Sequence, residues 1–187
     1  MASHPLTAHP YPRWRPVSAL RPAMSAPWWQ WVASTDSLTA RLIDAGHPSD
    51  FRVTLLGQRV GVPARDEARA LGLAPRRLAW LREVALGAKG RPWVVARSVA
   101  PLDALTGQHL DTLGERSLGS WLFRQPDLVR GPLYATAQPT AFAERQAPAG
   151  VQALWARRSV FYHGGLSLLV QEAFLSTMAD DLGMASR

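Results

Sequence analysis

The feature that most constrains the fold is a long β-hairpin predicted over residues 80–101. Two runs rich in β-branched and aromatic residues flank Lys89-Gly90, a pair of turn residues. Side chains alternate between the two faces of a strand. Four residues of the first strand therefore share a face: Trp80, Arg82, Val84 and Leu86. Four of the second strand do the same: Trp93, Val95, Arg97 and Val99. Each face is apolar except for one arginine.

The predicted register brings those two arginines together. A two-residue loop at 89–90 pairs Ala88 with Arg91. Counting outward from that pair places Arg82 opposite Arg97. Like charges directly opposed on a sheet face destabilise it, and a buried charge without a partner is costly. We therefore expect an anion to lie between or near the two guanidinium groups.

A second hairpin is predicted over 155–175, with its turn at Gly164-Gly165. Its return strand carries Glu172 within an otherwise apolar stripe, and a two-residue loop sets this glutamate opposite Arg157. One interpretation is a buried ion pair between Glu172 and Arg157 or one of the hairpin arginines. The other is a ligand site, because an arginine fork matches a carboxylate and a glutamate exchanges a proton with a hydroxyl or accepts its hydrogen bond. Arg82, Arg97 and Glu172 together would suit a small, anionic, hydroxylated ligand in a dry cavity.

Composition excludes several classes of protein. The 187 residues suit one domain with a substantial core. No cysteine is present, and the five histidines are dispersed, so we expect no metal site. The net charge is +7, but Lys89 is the only lysine and the arginines are scattered, which argues against nucleic-acid binding. The chain has neither a long apolar run nor a signal-peptide pattern, so we expect a cytoplasmic protein without a membrane span. A monomer is expected because no exposed apolar stripe stands out.

The rest of the chain is predicted as follows. Residues 1–26 are rich in proline and arginine and form a loose arm, from which Trp14 docks on the body. Residues 27–187 form a single domain. Segment 125–150 holds four prolines and is expected to be a mobile loop apart from a strand at 133–137. The polar tail from Ser176 is expected to fray.

Two pairs of short helices are predicted outside the hairpins. The first pair covers 27–32 and 38–45, with Asp36 or Ser37 as the cap of its second helix and Gly46 at the C′ position. These helices form either a flap or an ordinary outer layer on a sheet. The second pair covers 102–106 and 117–123, with Ser117 as a cap. A further strand is predicted at 51–58 and a further helix at 65–71.

Five motifs occur in the order found in one known family: Asp36-Ser37-Leu38-Thr39; Trp80-Leu81-Arg82-Glu83-Val84; Gly90-Arg91-Pro92-Trp93 with Ala96-Arg97-Ser98-Val99; Leu118-Gly119 with Leu122-Phe123; and Trp155-Ala156-Arg157-Arg158-Ser159 with Glu172-Ala173-Phe174-Leu175. Together they resemble chorismate pyruvate-lyases of ubiquinone biosynthesis over about residues 28–175.

The resemblance implies a fold and an activity. It implies an α+β fold with a single antiparallel sheet of about six strands and helices on one side. Two helix-turn-helix flaps, at 27–46 and 102–123, would cover a buried site. It implies conversion of chorismate to 4-hydroxybenzoate and pyruvate, without cofactor or metal. A second interpretation is a non-catalytic, small-carboxylate effector-binding domain of the same fold, as in some transcription regulators, although the arm is too short and proline-rich for their DNA-binding domain.

The resemblance also assigns roles to individual residues. Arg82 would hold the ring carboxylate and Glu172 would meet the 4-hydroxyl. Leu38 and Leu118 would contact the ligand from the flaps, largely through backbone groups. A backbone contact at Leu38 tolerates the Met that relatives can carry there. Since chorismate has two carboxylates, our hypothesis is that Arg97 binds the enolpyruvyl carboxylate.

Overall fold

The structure is a computed structural model that describes residues 11–105, 110 and 113–186. Within these residues, eight strands form one sheet in which every pair is antiparallel. They are β1 (Arg15–Pro16), β2 (Arg52–Gly61), β3 (Ala79–Ala88), β4 (Arg91–Pro101), β5 (Val129–Arg130), β6 (Tyr134–Thr136), β7 (Ala153–His163) and β8 (Leu166–Leu175). The order across the sheet is β1-β6-β7-β8-β4-β3-β2, and β5 also pairs with β7. The predicted α+β fold is confirmed, and very short edge strands bring the strand number above six.

Helices lie on both faces of this sheet. They are α1 (Ala26–Val32), α2 (Leu38–Gly46), α3 (Arg65–Ala70), α4 (Leu118–Leu122), α5 (Ala141–Gln146) and α6 (Ser176–Leu182), with 3₁₀ helices at Val17–Ala23 and Leu102–Leu105. The apolar sides of α1, α2 and α4 pack on the face that carries Val84 and Ala96. On the opposite face, α5 packs through Phe142 against Val95, and the end of α3 lies against another apolar cluster. The expected one-sided arrangement of helices is therefore wrong, because both sheet faces carry apolar side chains that need cover.

A β-bulge changes the predicted register of the first hairpin. The turn forms as expected, with positive φ at Lys89 and Gly90, and Ala88 pairs with Arg91. Further out, Leu86 pairs with Val94 while Gly87 pairs with Pro92, which leaves Trp93 as an extra residue on β4.

One extra residue on a strand reverses the face of every residue beyond it. Arg82 therefore lies opposite Ser98, and Arg97 lies opposite Glu83. The predicted pairing of Arg82 with Arg97 is wrong for this reason.

The second hairpin has the predicted register. Gly164 and Gly165 both have positive φ and connect β7 to β8. Arg157 pairs with Glu172, as expected from a two-residue turn.

Three segments are more ordered than the sequence suggests. From the N-terminal arm, β1 pairs with β6, and Leu20 and Met24 are buried in the core. Trp14 docks as predicted, donating a hydrogen bond from Nε1 to Asp66 at 3.0 Å. The expected mobile loop at 125–150 contains α5, and the expected frayed tail contains α6 with Met178 buried. The apolar residues that these segments bury in the core are scattered along the chain. They were not predicted to be ordered because they form no periodic pattern.

The two flaps form from the predicted helices. Ser37 caps α2 by accepting a hydrogen bond from the backbone N–H of Ala40, and Ser117 caps α4 by accepting one from Ser120. The helix predicted at 102–106 begins as a 3₁₀ helix, and residues 106–109 and 111–112 of the second flap lie outside the described residues. No helix in the described part of the chain is long and apolar enough to cross a membrane.

Candidate active site

Arg82 is a buried cation on the sheet face beneath the flaps, with only 1% of its surface exposed. Its Nη2 donates hydrogen bonds to the carbonyl oxygens of Gly114 at 2.8 Å and Arg116 at 2.9 Å. Nε is buried without a hydrogen-bond partner, and no salt bridge of the described residues includes Arg82. Burial lowers the pKa of the Arg82 guanidinium. An anion placed here would stabilise a charge that the protein has desolvated and compensated only with neutral carbonyl oxygens.

Glu172 lies on β8 beside Arg157, and the two form an ion pair. Nε of Arg157 donates to Oε2 of Glu172 at 2.6 Å. Nη1 of Arg157 donates to the carbonyl oxygens of Trp31 and Ser34, both at 2.9 Å, and to Oγ of Ser34 at 2.8 Å. The pair therefore ties the sheet to the turn between α1 and α2. Of the two carboxylate oxygens of Glu172, only Oε2 accepts a hydrogen bond from the described residues. Oε1 is therefore available to a ligand.

Arg130, at the end of β5, is a third arginine beside this pair. Its Nε donates to Oγ of Ser159 at 3.0 Å, and its Nη1 donates to the carbonyl oxygens of Thr35 at 3.1 Å and Ser34 at 3.4 Å. Burial, with the positive charge of Arg157 as a second cause, lowers the pKa of Arg130 to about 10. Sequence reasoning missed this residue because it stands alone in a proline-rich segment with no periodic pattern.

These side chains line one pocket between the sheet and the flaps. The pocket is lined by both apolar and polar residues: Asp36, Leu38, Thr39, Arg82, Val84, Leu86, Ala96, Ser98, Ser117, Leu118, Gly119, Leu122, Phe123, Arg130, Arg157, Phe161, Val170 and Glu172. The structure thus brings four of the predicted site residues together, namely Leu38, Arg82, Leu118 and Glu172. The enclosed cavity is about 40 Å³, well below the roughly 300–1,000 Å³ of pockets that hold organic ligands. The flaps are therefore closed onto the sheet.

Arg97, the fifth predicted site residue, lies on the other face of the sheet. It forms a bidentate ion pair with Glu67, with Nε to Oε1 at 2.7 Å and Nη2 to Oε2 at 3.0 Å. Its Nη1 donates to Oε1 of Glu83 at 2.5 Å. The bulge at Trp93 is the physical cause, since it turns Arg97 away from the pocket. Two carboxylates satisfy this guanidinium, so the structure does not bring Arg97 to the ligand pocket.

The charges of the pocket define the class of ligand that fits. Arg157 is neutralised by Glu172, and Asp36 is paired with Arg41 at 3.3 Å. Arg82 and Arg130 then remain as two cations that have no carboxylate partner among the described residues. The fold and the site thus define a protein whose pocket, closed beneath two helical flaps, has the charge to bind a small organic anion.

Comparisons with known proteins identify that class more closely. A family model described as chorismate lyase matches residues 12–181. A probable chorismate pyruvate-lyase of Chromohalobacter salexigens is 54% identical over 177 residues, which cover 95% of this chain and 96% of that protein. A probable chorismate pyruvate-lyase 2 of Pseudomonas entomophila is 41% identical over 167 residues, covering 88% and 89%. The chain therefore belongs to the chorismate lyase family.

One solved structure adds a likeness of fold alone. The C-terminal domain of PhnF aligns with a TM-score of 0.52 at 14% identity, covering 65% of this chain and 80% of that chain. The antiparallel sheet is therefore shared with that domain.

Proposed function

We propose that the chain removes pyruvate from chorismate to give 4-hydroxybenzoate, the first committed step of ubiquinone biosynthesis. The observation that carries this function is the placement of Arg82 and Glu172 in one enclosed pocket. Chorismate presents matching groups, with a carboxylate at one end of its ring and a hydroxyl at the other. We also propose that the chain acts as a cytoplasmic monomer.

The two polar side chains fix the ring at both ends. Arg82 binds the ring carboxylate, for which its partnerless Nε supplies a donor. Glu172 accepts a hydrogen bond from the 4-hydroxyl on Oε1, because Oε2 is already held by Arg157. This division of labour makes Glu172 a group that positions the ring.

The flaps contribute backbone groups. Leu38 and Leu118 are the first residues of α2 and α4, and the first N–H groups of a helix have no partner within it. In our proposal, Leu38 and Leu118 contact the ligand through these N–H groups. Their leucine side chains are 4% and 7% exposed, and they keep the site dry.

The reaction needs no cofactor in this scheme. The C3–O bond of chorismate breaks, and its electron pair stays with the departing oxygen. The electrons of the C4–H bond complete the aromatic ring, and the proton ends on the methylene carbon of the departing group, which becomes pyruvate. Since aromatisation supplies the driving force, the protein has to orient the ether and stabilise the charge that develops on its oxygen.

A direct assay tests this function. The purified chain is mixed with chorismate in the presence of a metal chelator, and 4-hydroxybenzoate is followed by its absorbance. We expect one pyruvate for each 4-hydroxybenzoate formed. A chain that binds 4-hydroxybenzoate but releases no pyruvate would instead be an effector-binding domain, and the proposed activity would be wrong.

A further inference from the structure

We propose that Arg130 binds the enolpyruvyl carboxylate of chorismate and thereby makes the site select a dicarboxylate over its monocarboxylate product. The inference rests on the proposed function and assigns the second carboxylate to a residue that no sequence motif marks. It replaces Arg97, which lies on the opposite face of the sheet.

The contacts of Arg130 leave its guanidinium without a directly bound carboxylate, and the nearby charges of Glu172 and Asp36 offset only part of the burial that lowers its pKa. Its hydrogen bonds go to neutral oxygens of Ser159, Ser34 and Thr35. These bonds use Nε and Nη1, and Nη2 has no hydrogen bond within the described residues. The guanidinium also lies over the ring of Phe161, 5.1 Å from its centroid, which holds its plane in a fixed orientation. Arg130 is therefore a cation of fixed orientation on the pocket wall, and its Nη2 group is available to donate to a ligand.

The neighbouring arginine does not compete for this role. Arg157 is 1% exposed and its Nε is bound to Glu172. Its Nη1 is occupied by three oxygens of Trp31 and Ser34. A dianionic substrate thus meets two cations that lack a carboxylate partner in the described chain, and these are Arg82 and Arg130.

The covalent structure of chorismate places its second carboxylate at the end of the pocket where Arg130 lies. The ring carboxylate is on C1, the hydroxyl is on C4, across the ring, and the enolpyruvyl ether is on C3, next to C4. With Arg82 at C1 and Glu172 at C4, the enolpyruvyl group must leave the ring beside Glu172. Arg130 is at that end, since it shares the carbonyl oxygen of Ser34 with Arg157, the ion-pair partner of Glu172.

The same position has a consequence for the chemistry. When the C3–O bond breaks, negative charge develops on the oxygen that is attached to the enolpyruvyl carboxylate. A cation bound to that carboxylate lies close to the developing charge and stabilises it more strongly than it stabilises the ground state. Arg130 is therefore expected to affect kcat as well as KM.

The test compares two ligands that differ in this one carboxylate. Arg130→Gln removes the charge, and Arg130→Lys keeps it without the fork. We expect Arg130→Gln to lower kcat/KM for chorismate by about 10- to 100-fold, with Arg130→Lys in between. The Kd of 4-hydroxybenzoate, which has only the ring carboxylate, should change less than about threefold in both variants.

A matched control is available on the second flap. Arg124 is exposed and donates from Nε to the carbonyl oxygen of Ser120 at 2.6 Å, so Arg124→Gln removes the same charge and a flap hydrogen bond outside the pocket. We expect it to leave kcat/KM and the Kd of 4-hydroxybenzoate unchanged.

The outcomes separate the role of Arg130 from the activity itself. If kcat/KM is unchanged in Arg130→Gln, or if 4-hydroxybenzoate binding falls in parallel in both Arg130 variants, Arg130 only supports the flap and the inference is wrong. If wild-type protein converts no chorismate, the proposed function fails and the inference fails with it.

Discussion

Oγ1 of Thr39 and Oγ of Ser117 lie 2.5 Å apart and form a hydrogen bond between the two flaps. Thr39 is in the first turn of α2 and Ser117 is the cap of α4. This contact is close, since a Cβ built on Gly119 would lie 3.1 Å from Oγ1 of Thr39. The bond therefore holds the two flaps together over the pocket. In this closed state the cavity is too small for an aromatic acid to enter.

The first prediction concerns the rate at which the flaps open. Thr39→Val keeps the shape of the side chain and removes the hydroxyl, while Ser117 can still cap α4. A buried hydrogen bond contributes about 1 kcal/mol, so we expect release of 4-hydroxybenzoate to become about fivefold faster. Stopped-flow displacement of the product measures this rate. If opening limits turnover, kcat rises with it.

Thr54→Val is a suitable control, because Thr54 is an exposed residue of β2 away from the flaps. It should leave the release rate unchanged. An equal change in both variants would show that the inter-flap bond does not hold the pocket closed.

The second prediction concerns Arg82. Arg82→Lys keeps a positive charge, but an ammonium group cannot donate to two loop carbonyls and present a planar fork to a carboxylate. We expect product affinity and kcat/KM to fall at least about 30-fold, since charge-assisted hydrogen bonds are each worth about 1.5–3 kcal/mol. Calorimetric titration with 4-hydroxybenzoate measures the affinity. Retention of wild-type affinity would place the ring carboxylate elsewhere.

The two hairpins show how far the sequence predicts this structure. Alternating residues and turn glycines were sufficient for the second hairpin, and with it for the pair of Arg157 and Glu172. The same reasoning failed in the first hairpin because one extra residue, Trp93, reverses the faces beyond it. At this bulge the two strands approach so closely that a Cβ at Gly87 would lie 2.6 Å from the carbonyl oxygen of Arg91. The sequence shows a glycine at this position, but its alternating pattern does not contain the backbone geometry that requires it.

Arg130 shows a second reason why the sequence does not predict the whole site. Motifs and strand patterns identify residues on regular elements, and the family resemblance supplied Leu38, Arg82, Leu118 and Glu172. Arg130 lies on a two-residue strand whose position is set by pairing with β7. Its place in the pocket follows from the fold of a whole segment, which short-range physics does not determine.

The third prediction concerns the ion-pair network on the other face of the sheet. Arg97→Gln leaves Glu67 and Glu83 buried with less compensation, and breaking a buried ion pair in this way costs about 3–5 kcal/mol. We therefore expect a marked loss of unfolding free energy in urea. If Arg97 bound substrate instead, the variant would unfold like wild type and show only a raised KM.

The fourth prediction concerns acid stability. Burial alone would raise the pKa of Glu83, but hydrogen bonds and charge from Arg97, with Gln146 and Arg145, together hold it below its usual value. A carboxyl whose pKa is lower in the folded state stabilises the fold above its ordinary pKa, and this contribution is lost as pH falls through the lowered value. Melting temperatures measured from pH 6 to pH 3 should therefore fall less steeply in Glu83→Gln than in wild type.

Glu144→Gln serves as the control for this titration, because Glu144 is an exposed residue of α5. Its melting temperatures should follow the wild-type pH dependence. A Glu83→Gln profile parallel to that of wild type would mean that other carboxyls dominate acid unfolding.

The last prediction concerns the close packing of the first flap on the sheet. The sequence predicts Gly46 at the C′ position beyond α2, but Gly46 is the last helical residue and His47 has the positive φ. A Cβ at Gly46 would lie 2.6 Å from Cβ of Ala88 and 3.6 Å from the ring of Trp93. Alanine is favoured over glycine within helices by up to about 1 kcal/mol, whereas overpacking a core costs about 1–3 kcal/mol.

We therefore expect Gly46→Ala to destabilise the protein and to weaken 4-hydroxybenzoate binding, because α2 carries Leu38 and would be displaced from the sheet. Gly57→Ala is the matched control, since a Cβ there meets nothing within 4 Å. Chemical unfolding and ligand titration of both variants measure the two effects. A Gly46→Ala variant as stable as wild type would mean that α2 shifts without cost, and the flap would then be held by its contact with α4 rather than by the sheet.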